Sequence, residues 1–235
     1  MPLIHIKGNI FNTKCQTLVN PVNCAGVMGK GLALEFQMRY PEMISEYVRK
    51  CQAGRLVIGN PWLYQGKAQW VLNFPTKKHW RQPARIDYIE SGLSNFRETY
   101  KANGITAVAF PQLGTECGGL DWACVQSCME KHLEDLPIVI EIYSYDSSSP
   151  DNAFVLFSQN IPKMSRRAIK KQIGLNENQV MKLLTAMEAN GFSNFHDLKR
   201  IGGFGNKTMQ KIHAFCKSNV VNAEDVGPHK QYELL

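Results

Sequence analysis

The feature that most constrains the fold is an alternation of short apolar runs with longer amphipathic stretches through the first 145 residues. Six runs, several rich in Val and Ile, have the length of strands, and three stretches carry apolar residues at helical spacing. The predicted strands are 3–10, 17–23, 56–65, 69–75, 105–113 and 138–146, and the predicted helices are 31–54, 85–104 and 120–136. This alternation predicts an α/β fold with a parallel or mixed sheet covered by helices on both faces.

A serine-rich stretch with a proline, SYDSSSPDNA at 144–153, interrupts the pattern and predicts a domain boundary. Beyond it the sequence is helical in character, with amphipathic segments separated by Gly, Asn or Ser. These segments are 165–174, 177–191, 193–201 and 206–218. We therefore expect a first domain at 1–146, a linker at 147–160, a small all-α domain at 161–220 and a tail at 221–235.

Composition excludes several classes of protein. No stretch approaches the roughly 20 apolar residues of a membrane span, and the amino terminus lacks a signal-peptide pattern, so we expect a cytoplasmic protein without a membrane partner. The seven cysteines are odd in number and have no zinc-site spacing, so free thiols and no metal are expected. The net charge is +2 for residues 1–150 and +5 for residues 151–235, which favours a polyanionic partner for the second part.

Glycines cluster at two places where a predicted strand passes into a predicted helix, at 24–31 and at 114–119. Glycine lets the backbone approach a ligand closely, and amides that converge at a helix start bind phosphate. Each cluster alone is more often a tight turn than a phosphate-binding loop. Two such loops on one sheet, with Asn20 and Asn23 ahead of the first, could hold a diphosphate and an adjoining ribose.

A basic segment, NFPTKKHWR at 73–81, follows an apolar strand. It is either a solvated loop or a lysine placed at a strand end beside a bound anion. Lys77 and Lys78 point to opposite faces of an extended chain, so one can face a cleft and the other solvent. The residues alone do not decide which, and they leave Trp80 either in the core or exposed as a stacking platform.

The first domain resembles the macrodomain family, which has an α/β/α fold and binds ADP-ribose. Four motifs carry the resemblance, and they occur in the order and at the spacing typical of that family. They are IKGNIF, VNPVNCAGVMGKGLALEF, NFPTKKHWR and PQLGTECGGLDW. The chain most resembles the branch that contains DarG-type DNA ADP-ribosyl glycohydrolase antitoxins and terminal ADP-ribose protein glycohydrolases. The fold expected from this resemblance is a three-layer α/β/α macrodomain with a mixed central sheet, followed by a small all-α domain.

The resemblance also implies roles for individual residues. Lys77 corresponds to the lysine that attacks the anomeric carbon, and Asp121 to an assisting aspartate that can equally cap a helix. Asn9 replaces the family's adenine-binding aspartate, and Thr115, Glu116 and Cys117 depart from the usual phosphate-loop pattern. The implied ADP-ribose-binding residues are Gly8, Asn9, Ile10, Asn20, Asn23, Gly26, Val27, Met28, Gly29, Gly31, Leu113, Gly114, Thr115, Glu116, Cys117, Gly118, Gly119 and Tyr143. No cofactor is implied.

The second part contains FHDLKRIGGFGNKTMQKIHAF, which resembles a helix-hairpin-helix motif. In that family the hairpin amides and the following helix start contact a DNA phosphate. The alternative is a helical domain without that role. The expected DNA-binding residues are Lys78, Trp80 and Arg81 at the strand end, and Gly203, Gly205, Lys207, Thr208 and Lys211 in the hairpin.

Three functions remain open from the sequence. The first is removal of ADP-ribose from DNA bases, with ADP-ribosylated DNA as substrate and a DNA-modifying ADP-ribosyltransferase toxin as possible counterpart. The second is hydrolysis of mono-ADP-ribose from protein, and the third is a binding module without turnover. The resemblance favours the first.

Overall fold

The computed structural model describes residues 3–189 and 191–221, with the side chains of 219–221 left aside. The chain divides into two compact units, one ending at Ser148 and the other beginning at Ser149. The first unit contains the sheet, and the second is helical. The predicted tail at 221–235 lies outside the described residues except for Val221.

The first unit is built on one six-stranded mixed sheet in the order β1-β6-β5-β2-β4-β3. All neighbouring strands are parallel except β3, which pairs antiparallel with β4 at the sheet edge. The strands are β1 (Leu3–Gly8), β2 (Thr17–Asn23), β3 (Trp62–Tyr64), β4 (Trp70–Lys77), β5 (Ala107–Pro111) and β6 (Val139–Tyr145). The predicted mixed sheet is confirmed, although the predicted strand 56–65 shortens to β3.

Four helices accompany this sheet, and two of them replace one predicted helix. The predicted helix 31–54 is wrong as a single element, because it breaks at Tyr40 before Pro41. A proline lacks the amide that a continuous helix needs, and it also disfavours helical geometry in the residue before it. The helices are α1 (Gly31–Arg39), α2 (Pro41–Gln52), α3 (Ile86–Thr99) and α4 (Trp122–Leu133).

The core lies between the sheet and the helices α3 and α4. Phe96 of α3 meets Phe110 of β5 edge to face, with ring centroids 5.4 Å apart. Gly92 brings α3 close to β4, because a Cβ at this position would lie 2.3 Å from Cζ of the buried Phe74. This tight packing fixes β4, whose last residue is Lys77, against the helix layer.

Over its described residues, the second unit has four α-helices packed around aromatic side chains. Its helices are α5 (Asn152–Asn160), α6 (Arg166–Ile173), α7 (Glu177–Glu188) and α8 (Asn206–Val221). Phe154 and Phe157 of α5 contact Phe195, with centroids 5.2 and 5.7 Å apart. Phe157 also meets Phe215 of α8. The core of this unit therefore depends on α5.

Two expectations for this part differ from the structure. Residues 152–160, expected within a linker, form α5, since Asp151 caps the amides of Ala153 and Phe154 and two phenylalanines anchor the helix. The predicted helix 193–201 is reduced to a 3-10 turn at Asp197–Arg200. Within the described residues, no helix is both long and apolar enough to cross a bilayer.

The packing of α3 on β4 leads to a test. We expect Gly92→Ala to lower the free energy of unfolding by about 1–3 kcal/mol, because the new methyl group overlaps the Phe74 ring. Thermal or urea denaturation followed by circular dichroism measures this change. Glu98→Ala, on an exposed position of α3, is the matched control and should change stability by about 0.5 kcal/mol or less. Equal stability of the two variants would contradict the tight contact.

Candidate active site

The sheet gathers the predicted site motifs at one edge. Since β1, β2, β4, β5 and β6 are parallel, their carboxyl ends lie on the same side of the sheet. The segments that follow these ends are 9–13, 24–30, 78–85, 112–121 and 146–151. Ligands of open α/β sheets bind at this edge.

The first glycine loop, residues 24–30, joins β2 to α1 and is held by Asn23. The Asn23 side chain accepts from the Ala25 amide at 3.0 Å and donates to the Val27 carbonyl at 2.6 Å. Tyr47 of α2 donates to the Asn23 carbonyl at 2.7 Å. The Asn23 side chain therefore stabilises the conformation of this loop. Of the predicted contact residues here, Val27 is exposed and Met28 is buried.

Asn20 lies deeper than the sequence analysis expects. Its side chain is 0% exposed and donates to the Asn73 amide oxygen of β4 at 3.0 Å. It also approaches the Met28 sulfur at 3.7 Å. A direct ribose contact from Asn20 is not available in this structure. Its contacts instead support the loop from within the sheet.

The second glycine loop, residues 112–121, joins β5 to α4 and folds tightly on itself. Gly119 and Leu120 donate their amides to the carbonyls of Thr115 and Gly114. A Cβ at Gly118 would lie 2.0 Å from the Gly114 oxygen and 2.8 Å from the Ala84 Cβ, so only glycine fits. Leu113, Gly114 and Gly118 are buried beneath the loop.

The tip of the second loop is open to solvent. Glu116, Cys117 and Gly119 are exposed, and Thr115 is half-buried with its hydroxyl donating to the Gln112 carbonyl at 3.1 Å. Solvent surrounds the Glu116 carboxylate, which reduces its repulsion of an anionic ligand. The exposed tip is the part of the loop that a ligand can reach.

Lys77 lies where the two loops approach each other. It ends β4, and its amine donates a hydrogen bond to the Cys117 carbonyl at the tip of the second loop. On the first loop's side, a Cβ at Gly31 would lie 3.4 Å from the Cys117 sulfur. The Lys77 carbonyl accepts from the Cys24 amide at 3.1 Å. One amine, two glycine loops and the start of α1 therefore share one small region.

Asp121 caps the amino end of α4, which is one of the two roles that the sequence analysis gives it. Its side chain accepts from the Cys124 amide at 3.2 Å, while the carboxylate stays exposed. Capping uses one oxygen of this carboxylate, and a carboxylate has a second oxygen for a water or ligand. The structure therefore leaves Asp121 free to do both.

The end of the sheet at β1 and β6 carries a buried polar cluster. Asn9 accepts from the Phe11 amide at 3.0 Å and starts a 3-10 turn that contains Ile10. Thr13, which ends this turn, donates to the buried Glu141 carboxylate at 2.5 Å. Burial, followed by the charge of Glu141, raises the pKa of Tyr143. Tyr143 is only 7% exposed, so a broad ring contact with a ligand is not available to it.

The basic segment after β4 forms an exposed rim of stacked side chains. Trp80 is 45% exposed, so it lies on the surface and not in the core. The His79 ring lies 5.4 Å from the Trp80 ring, and the Arg81 guanidinium lies 4.3 Å above it. Lys78 is exposed, with its amine 5.9 Å from the Tyr88 ring, so the two lysines do face different surroundings.

The hairpin of the second unit is partly available for binding. Gly203, Gly205 and Lys207 are exposed. A Cβ added at either glycine would meet no heavy atom of the described residues within 4 Å. Thr208 differs from the expectation, because it is 7% exposed and bonded to Gln179 at 3.0 Å. Lys211 donates to the Gly174 carbonyl at 2.6 Å. Thr208 therefore stabilises the hairpin internally.

Sequence reasoning missed the residues that support the site from behind. Asn73 bonds Asn20 inside the sheet, Ala84 packs beneath Gly118 and donates its amide to that residue's carbonyl, and Glu141 anchors Thr13. A lone asparagine in the apolar run WVLNFP was the one available signal. Among the described residues, no cluster of three or more His, Cys, Asp or Glu side chains could hold a metal ion.

Comparisons with known proteins agree with this geometry. A family model for the Macro domain matches residues 19–129. The macrodomain of Mycobacterium tuberculosis DarG is 39% identical with a TM-score of 0.58, and the match covers 62% of this chain and 98% of that chain. This solved structure is thus matched over nearly its whole length.

Two curated relatives are longer than this chain. The DNA ADP-ribosyl glycohydrolase of M. tuberculosis is 40% identical over 136 residues, covering 56% of this chain and 39% of the relative. A DNA ADP-ribosyl transferase-DNA ADP-ribosyl glycohydrolase fusion protein of Thermosipho africanus is 36% identical over 157 residues, covering 59% and 40%. The chain therefore spans well under half the length of these relatives.

The exposed Cys117 provides a test of the cleft. We expect ADP-ribose to slow alkylation of Cys117 by iodoacetamide, because a ligand between the two loops covers the tip of the second loop. Peptide mass spectrometry of alkylated protein measures this protection. Cys124, also exposed, is the internal reference and should react at the same rate with and without ligand.

Cys15, which is buried, and Cys24, which is half-buried, give a second reference in the same measurement. Burial raises the pKa of Cys24 to about 11 and that of Cys15 to about 12, so neither is a good nucleophile near neutral pH. Both should remain unmodified throughout. Alkylation of Cys117 at an unchanged rate in saturating ADP-ribose would remove the second loop from the binding cleft.

Proposed function

The chain belongs to the macrodomain family, and from this premise we propose that it is a DNA ADP-ribosyl glycohydrolase that removes ADP-ribose from nucleobases. The observation that carries the proposal is the Lys77 amine, half-buried and bonded to the tip of the second glycine loop. A nucleophile is useful only where the substrate's reacting carbon is held. The two loops supply that position, since their amides can bind the diphosphate next to the sugar.

In the proposed reaction, the neutral Lys77 amine attacks the anomeric carbon of the distal ribose. The bond from this carbon to the base nitrogen breaks, and the base leaves with its bonding electrons and takes up a proton. Water then displaces the lysine, which releases ADP-ribose and restores the amine. Covalent catalysis of this kind divides one difficult step into two easier ones.

The surroundings of Lys77 fit this role. The amine donates to a neutral carbonyl, and among the described residues no carboxylate within salt-bridge distance of it is found. A carboxylate partner would favour the charged form and oppose nucleophilic attack. The Cys117 carbonyl instead holds the amine in place without adding a negative charge beside it. Asp121, exposed at the start of α4, is the proposed group that assists proton transfer or orients the water.

DNA is favoured over protein as the substrate by the rim beside Lys77. Trp80 presents an exposed indole, Arg81 adds a charge 4.3 Å from its ring, and Lys78 is exposed on the same segment. Aromatic rings that stack on bases and cations that neutralise phosphates are the usual means of holding single-stranded nucleic acid. In the second unit, Lys207 and the open glycines of the hairpin are proposed to contact the DNA backbone.

The proposed activity implies a counterpart. An enzyme that removes ADP-ribose from DNA needs a transferase that adds it, and the relative from T. africanus carries both names in one chain. We therefore propose that this protein reverses the action of a DNA-modifying ADP-ribosyltransferase toxin in the cytoplasm. ADP-ribose attached to DNA, rather than free ADP-ribose, is the proposed ligand.

Lys77→Ala and Lys78→Ala form a matched pair for testing the nucleophile. We expect Lys77→Ala to lower the rate of ADP-ribose release from ADP-ribosylated single-stranded DNA by at least about 100-fold, because the covalent step is lost. Lys78→Ala removes the same charge but should retain turnover within about 10-fold, with a weaker apparent affinity for DNA. Chromatography of released ADP-ribose under single-turnover conditions measures both.

Binding measurements complete this test. Calorimetry with ADP-ribose should give Lys77→Ala an affinity close to that of the unaltered protein, since the loops hold the diphosphate. Release by Lys77→Ala at the normal rate would place the nucleophile elsewhere. Tight ADP-ribose binding by the unaltered protein without any release would instead support a binding module without turnover. Release of ADP-ribose from modified protein but not from modified DNA would support the hydrolase that acts on protein.

A further inference from the structure

The surface of the second unit carries a one-sided charge. Residues 149–218 contain eleven Lys and Arg against four Asp and Glu, an excess of seven. Two of the four carboxylates are buried in structural roles, Asp151 as the cap of α5 and Asp197 in bonds to Ser193 and Arg200. Only Glu177 and Glu188 remain exposed. The surface is therefore more basic than the composition suggests.

Four of these cations belong to α6. Arg166, Arg167, Lys170 and Lys171 are all exposed, whereas Ile169 and Ile173 are buried. At about 100° per residue, the four cations occupy one continuous arc of roughly 140° on one side of the buried pair. Among the residues that the structure describes, the one ion pair within this arc is Lys170 with Glu177, at 3.7 Å. We call these four cations the α6 basic face.

The first turn of α6 places charges against the helix dipole. Arg166 and Arg167 occupy this turn, which contains no acidic residue. The positive end of the dipole disfavours cations there and favours Asp or Glu. Helix stability therefore does not account for these two arginines. A local choice that costs stability without a structural gain points to a binding role.

The carboxyl end of α6 contacts α8. The Lys211 amine, in the second turn of α8, donates to the carbonyl of Gly174, which caps the carboxyl end of α6. Lys207 lies four residues earlier on the exposed side of α8, next to the hairpin. The hairpin itself is tied to α7, because Lys182 donates to the Gly202 carbonyl at 2.9 Å. These contacts tie the carboxyl end of α6 to α8 and the hairpin to α7, within the same small helical unit.

We propose that the α6 basic face is a binding surface for the sugar-phosphate backbone of DNA and acts together with Lys207 and the hairpin of the same unit. The Cα atoms of Arg166 and Lys170 are separated by about 6 Å along the helix, and their long side chains can reach neighbouring phosphates. The surface contains no exposed aromatic residue for base stacking among these positions, so it contacts backbone and carries little sequence preference. The proposal extends the DNA contact of the proposed function from the hairpin to α6.

The double variant R166Q/R167Q tests this surface in the full chain. Fluorescence anisotropy with unmodified, fluorescein-labelled DNA gives affinity over a range of salt concentrations. We expect the magnitude of the slope of log affinity against log salt to fall by about 1.8 for a duplex, or about 1.4 for a single strand, because two phosphate contacts are lost. The melting temperature should stay the same or rise, since two cations leave the first turn of α6.

K67Q/K101Q is the matched control, because it removes the same charge. Lys67 and Lys101 are exposed on loops that lead into β4 and β5, at the sheet edge opposite the cleft. This control should keep the salt slope of the unaltered protein. Equal slopes for the two double variants would overturn the proposal and show a net-charge effect only.

Two further measurements distinguish DNA from an anionic membrane and separate DNA binding from catalysis. Sedimentation with phosphatidylserine vesicles identifies a membrane as the partner if R166Q/R167Q loses vesicle binding but retains DNA binding. That result would also overturn the proposal.

ADP-ribose release from a modified mononucleoside, which does not need the second unit's surface, should be equal in R166Q/R167Q and the unaltered protein. Failure of that reaction in both would count against the proposed function and leave the DNA-binding result independent of it.

Discussion

The site depends on the parallel hydrogen bonding of five strands. Because β1, β2, β4, β5 and β6 run in one direction, chain segments far apart in sequence end at a common edge. This arrangement brings Lys77 to the tip of a loop forty residues later, where it meets the Cys117 carbonyl. The two glycine loops can be short because the sheet already places their ends and Lys77 close together.

The sequence predicted those features that local chemistry determines. Apolar runs rich in Val and Ile indicated the positions of the strands, and glycines after strands marked the loops, because both signals act over a few residues. The start of α1 and the capping role of Asp121 were placed to within a residue or so. The choice of Lys77 over Lys78 came from the resemblance to a family, because alternation along a strand does not say which face is the cleft.

The sequence could not predict features set by packing between distant segments. The burial of Asn20 and Thr208 depends on partners 53 and 29 residues away, and nothing local distinguishes a buried amide or hydroxyl from one that binds a ligand. Helix α5 was missed because a serine-rich stretch with a proline precedes it, while its stability comes from Phe195 and Phe215. The orientation of the α6 basic face likewise required knowledge of which isoleucines face inward.

The buried amide pair of Asn20 and Asn73 has a consequence for strand alignment. These residues are direct partners in the β2–β4 ladder, and the same ladder places Asn23 opposite Lys77 after a bulge at Thr76. Sliding β4 by one position would strand both amides in an apolar interior and turn the lysine to the other side of the sheet. The asparagine pair thus fixes the register of β2 and β4, and the same register determines on which side of the sheet Lys77 lies.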